Sequence, residues 1–132
     1  MNFDPQVLFA ELTEKERVYG HHSAKGRAIR TLSRALQGWG SGSLGGLDVV
    51  TMCDQAIEVW LKARLEVSAW SATGLRHLLA AAEAKNLLTP TEASRLQTVR
   101  DLRADSTADG IAAAEVEAAL ADCLQIVEKH WS

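Results

Sequence analysis

The chain has 132 residues, enough for one domain with a real hydrophobic core. With 47% hydrophobic and 23% charged residues it has an ordinary globular composition, and its net charge of −3 argues against broad polyanion binding, which needs a basic surface excess. The two cysteines lie in apolar helical patterns with no Cys-x-x-Cys pair, so neither a disulfide, a thioredoxin-type motif nor a zinc site is expected.

The first segment, MNFDPQVLFAELTEKE, carries acids where a signal peptide needs bases, and no apolar run reaches membrane-spanning length. The expectation is a cytoplasmic protein with no membrane contact. Asp4 followed by Pro5 reads as an N-cap with proline in the first helical position, opening a helix to about Tyr19. Ser23 can cap a second helix through Gln37, with Ile29, Leu32 and Leu36 on one face. This segment concentrates basic residues, and Lys25, Arg27, Arg30 and Arg34 are candidate contacts for RNA or an acidic partner; a solvated helix face is the alternative reading.

GWGSGSLGG (38–46) is glycine-rich and predicts a flexible linker between an N-terminal helical pair (1–37) and a bundle (47–132). Trp39, isolated among these glycines, either anchors a partner or folds back onto the bundle. The gapped glycines lack the strand–loop–helix setting and the Gly-Lys-Ser/Thr of a phosphate loop.

A long helix follows from Leu47 to Trp70. Asp48, Thr51, Gln55, Glu58, Lys62 and Glu66 form one narrow polar stripe on an otherwise apolar surface, which predicts a helix at the centre of a bundle. Ser71 or Thr73 then starts a shorter helix with Leu75, Leu78, Leu79 and Ala82 inward, ending near Asn86. In TPTE (89–92), Thr89 caps, Pro90 takes the first helical position and Glu92 closes a capping box. That helix turns Leu96, Val99 and Leu102 inward and runs into the charged segment VRDLRADSTADG (99–110). The last helix, about 111–131, places Val116, Leu120, Cys123, Leu124, Val127 and Trp131 on one face. No segment alternates with period two. The fold class is therefore all-α, an up-and-down bundle of about four main helices with an added N-terminal helical pair.

The histidines hold no metal-ligand spacing: His21 and His22 are adjacent, and their imidazoles diverge on a helix. No metal, cofactor or nucleophilic site is expected. The charged segment is the remaining candidate. Its aspartates and Gly110 suit a helix junction, while Arg100 and Arg103 follow the apolar face of Leu96 and Val99 and need carboxylate partners there. Asp101, Asp105 and Asp109 are the nearest in sequence, so these five residues are expected to form an ion-pair cluster.

DQAIEVWLKARL (54–65) and TGLRHLLAAAEAKNLLTPTEASRLQTVRDLRADSTADG (73–110) together resemble the HEPN family. These are small helical-bundle proteins associated with RNA cleavage, toxin–antitoxin pairs and nucleotidyltransferase partners. The resemblance covers roughly 47–131, and the family's third bundle helix ends in an Arg-x(4–6)-His segment. Here Arg100 matches the arginine with Asp105 at the histidine position, or Arg103 matches it with Asp109 there. Either way an aspartate replaces the imidazole. A carboxylate ionised at neutral pH repels a phosphate instead of polarising it. The resemblance thus implies a non-catalytic interaction module that forms a homodimer or pairs with a nucleotidyltransferase. A metal-dependent or phosphate-binding ribonuclease built on the Arg/Asp cluster is the alternative, and a purely structural bundle is a third.

Overall fold

The computed structural model describes residues 24–68, 73–105 and 111–129, together with scattered positions between Val7 and Val18. Regular structure among the described residues is entirely helical, so the all-α class holds. The helices are α1 (Ala24–Ser41), α2 (Gly46–Arg64), α3 (Leu75–Ala84), α4 (Pro90–Asp105) and α5 (Ala113–Lys129). The described positions from Val7 to Val18 are also helical and exposed, with Arg17 pairing in two places with Glu14 (2.5 and 3.1 Å). Trp70, Thr107, Asp109, His130 and Trp131, the two adjacent histidines and the side chains of Lys25 and Asp105 lie outside what is described.

Helix α2 touches each of the other four. Around it α1 meets α5, α5 meets α4 and α4 meets α3, whereas α1 and α3 do not touch among the described residues. The apolar side of α2 explains this central position: Val49, Val50, Cys53, Ala56, Ile57, Trp60 and Leu61 are buried, while Asp48, Gln55 and Glu66 of the polar stripe are exposed. Each fully buried Ile or Leu of this kind contributes roughly 1.5–3 kcal/mol. The inward faces read from the sequence are buried too, including Leu75, Leu78, Leu79 and Ala82 of α3, Leu96 and Val99 of α4, and Val116, Leu120, Cys123, Leu124 and Val127 of α5. Leu102 is half-buried at the edge.

The expected linker over 38–46 is corrected in its first half. Helix α1 continues through Gly38, Trp39 and Gly40 to Ser41, and only 42–45 form the turn. Gly38 stands here for its size: the Leu44 side chain occupies the space that a Cβ would take, and Leu44 N–H donates to the Gly38 carbonyl (3.1 Å). Gly42 has a positive φ of 76°, the conformation that lets the chain reverse. Trp39 folds back, half-buried against the core, with its indole N–H directed at Glu117 (3.5 Å). Residues 24–41 are consequently packed into the same core as the bundle, through Ala28, Ile29, Leu32, Ala35 and Leu36.

Helix α2 also ends earlier than its hydrophobic pattern suggests, at Arg64 instead of Trp70. Glu66 takes a left-handed conformation (φ 57°); its N–H reaches the Ala63 carbonyl (3.3 Å) and the Val67 N–H reaches Lys62 (2.8 Å). This pair of bonds is a Schellman stop. Asn86 repeats it after α3 (φ 59°), with Asn86 N–H on Glu83 (3.0 Å) and Leu87 N–H on Ala82 (2.8 Å). Helix α3 starts at Leu75 behind Gly74, which offers no side-chain cap, so Thr73 stands before the helix and does not start it; Ser71 lies outside the described residues.

Candidate functional site

The start of α4 is built as its sequence reads. Thr89 N–H donates to Glu92 Oε1 (2.9 Å) and Glu92 N–H to Thr89 Oγ1 (3.2 Å), a reciprocal capping box. The second Glu92 oxygen accepts from Lys129 Nζ (3.2 Å), tying the first turn of α4 to the last turn of α5.

Two turns further along, Arg100 and Arg103 leave the inward face of α4 and converge on α2. Both reach the same oxygen, Oδ2 of Asp54: Arg100 Nη1 at 3.4 Å and Arg103 Nη1 in closer contact. The Asp54 side chain is 1% exposed, whereas those of Arg100 and Arg103 are 38% and 37% exposed. A carboxylate at that depth needs a cation, since an ionised group stripped of water and left unpaired costs several kcal/mol. Asp54 Oδ1 is buried with no hydrogen-bond partner, so the carboxylate is engaged at one oxygen only. Among the described residues the cluster combines two positive charges with one negative and keeps a surplus of one positive charge at a partly open surface.

The arginines of the expected Arg/Asp cluster thus come together, but on a different acid. Asp101 is exposed and accepts from Gln97 Nε2 (3.1 Å) on its own helix. The physical reason is helical geometry: Arg100 and Arg103 turn toward α2, where a fixed buried carboxylate is available, and Asp101 projects from another side of α4. Asp105 and Asp109 fall outside the described side chains. Asp54 itself was not singled out by its sequence setting. The signal is present in retrospect: it is an acid at the border of the α2 polar stripe, directly after Cys53 and two residues before Ala56, both of which are buried.

Beside Asp54, Cys53 meets Cys123 of α5 in the core, and both thiols are free. Their mutual hydrogen bond, then burial, pushes the Cys123 thiol well above its ordinary range. Both pack as small, fully buried core residues. On the opposite flank of α4, a groove of about 120 Å³ is lined by Arg95, Val99 and Leu102 on one side and Glu115, Ala119 and Asp122 on the other. Burial raises the Asp122 carboxyl, and the nearby Arg95 charge only partly offsets it.

The basic residues of α1 form a separate region. Arg27 and Arg34 are exposed and Arg30 is half-buried, on a helix that makes no contact with α4 among the described residues. The structure does not join them to the Arg100–Arg103 pair. No family model, curated protein or solved structure matches this chain.

Proposed function

We propose that the chain is a non-catalytic, HEPN-like interaction module, an up-and-down bundle that dimerises or pairs with a nucleotidyltransferase or toxin–antitoxin protein in the cytoplasm. The observation that carries this reading is the commitment of both arginines to Asp54. In the family resembled, the arginine of this segment serves a scissile phosphate beside an imidazole. Here Arg100 and Arg103 hold a buried carboxylate of the central helix, and that carboxylate needs their charge for its own stability. In either register of the family's segment an aspartate stands in the sequence where the imidazole is expected. Both features favour a junction that holds its shape and presents a surface over one that turns over RNA.

The test is direct. Purified full-length chain is incubated with single-stranded RNA, with and without Mg²⁺ or Mn²⁺, and its mass is followed by sedimentation alone and with a co-expressed nucleotidyltransferase. The expected outcome is intact RNA and either a dimer or a stable complex. Metal-dependent cleavage that disappears in Arg100→Ala or Arg103→Ala overturns the reading in favour of a ribonuclease. A monomer that joins nothing leaves a purely structural bundle.

A further inference from the structure

We infer that the outward side of the Arg100–Arg103 pair is a binding site for a single carboxylate, supplied by an acidic side chain of a protein partner. This deepens the interaction-module reading and rests on it. Each guanidinium has five N–H donors in a planar fork, and each spends one nitrogen, Nη1, on Asp54 Oδ2. More than a third of each side chain remains open to solvent. The buried end is anchored on α2 and cannot follow the arginines outward, so both forks are held in place before any ligand arrives. Such orientation lowers the ordering cost of a bidentate Arg–carboxylate contact.

Charge selects the class of ligand. Among the described residues two guanidiniums face one carboxylate, which leaves one positive charge, and one further carboxylate completes a neutral two-by-two cluster. A nucleic acid brings a row of phosphates instead. The flanking surface does not match it: Asp101 is exposed one position beyond Arg100, and the whole chain carries −3. Polyanion binding draws on many cations along a track, and this site has two, already half neutralised. A protein acid fits; an RNA backbone does not.

The experiment is a titration of ¹⁵N-labelled full-length chain, following the arginine Nε–Hε signals by NMR. The probes are sodium acetate, a hexauridylate oligonucleotide and sodium chloride at matched ionic strength. Acetate is expected to shift the Arg100 and Arg103 signals saturably, with Kd on the order of 10 mM as befits a four-atom ligand. Chloride and the oligonucleotide should leave them in place. Arg100→Gln, which retains the closer Arg103–Asp54 contact and hence the fold, should weaken acetate by about tenfold through loss of one charged fork. Arg34→Gln on α1 should change nothing. A linear, chloride-like response to acetate overturns the site, as does a shift unchanged in Arg100→Gln; a response to the oligonucleotide alone overturns the ligand class. Those failures are separable from failure of the module reading, which is decided by RNA turnover and by sedimentation.

Discussion

The two ends of α4 are secured by different kinds of interaction. At its first turn Thr89 and Glu92, three residues apart, exchange hydrogen bonds across a capping box, and Pro90 takes the position where a missing N–H is harmless. Toward its last turns Arg100 and Arg103 are held by Asp54, 46 and 49 residues away in the chain. The first arrangement satisfies backbone groups that any helix start exposes. The second exists because the central helix buries an acid. Local closure sets where α4 begins; long-range closure sets where its far end sits against α2.

The strongest way to break that comparison is at the arginines. Arg103→Met removes the closer cation and leaves Asp54, 1% exposed, with only the 3.4 Å contact to Arg100. The acid cannot reach water, so the expected loss is about 3 kcal/mol, the low end for stranding a buried charge. By thermal denaturation this should appear as a drop in Tm of roughly 10 °C. Asp54→Asn should cost less, about 1–2 kcal/mol, because the half-exposed guanidiniums can turn to solvent. The asymmetry is the diagnostic. Equal losses, or a larger loss for Asp54→Asn, would show that the arginines and not the acid are the buried partners.

The local end has a smaller expected effect. Thr89→Ala deletes the oxygen that accepts the Glu92 N–H and should lower stability by about 1 kcal/mol, measured by urea denaturation. Because Glu92 also pairs with Lys129, the loss should not add simply to that of Lys129→Ala. Additive effects would mean that the box and the ion pair hold Glu92 independently.

This division also marks what the sequence discloses. The capping box was legible because its partners are neighbours and its chemistry is directional. The inward faces of α2, α3, α4 and α5 were legible because burial follows the helical period. Three features resisted, each for a tertiary reason. Helix α1 runs through GWGS because Gly38 fits beneath Leu44 and Trp39 packs inward, so packing overrides glycine's poor helix propensity. Helix α2 stops at Arg64 through a left-handed glutamate, a position where glycine or asparagine is the usual sign. The acid that Arg100 and Arg103 share, Asp54, lies 46 and 49 residues away, and nothing local to VRDLRADSTADG points to it.

The last test compares two acids that α4 arginines face from neighbouring helices. Asp54 on α2 has two guanidiniums in contact. Asp122 on α5 feels Arg95 only as a nearby charge, and burial raises its carboxyl above the ordinary value of 3.8. The sign of its contribution follows. A folded-state pKa above the unfolded one means that the folded chain holds this proton more tightly. Below pH 3.8 the group is protonated in both states and costs nothing; as pH climbs through the raised folded value, the cost of ionising it in place becomes complete. Asp122→Asn removes that cost, so it should stabilise the protein at neutral pH, by less than Thr89→Ala destabilises it. The gain should shrink toward zero as pH falls to 3.8 and below. Paired melts of parent and variant across this range measure it. A variant less stable than the parent at neutral pH would mean that Arg95 compensates Asp122 in full, and that both acids facing α4 are held in the same way.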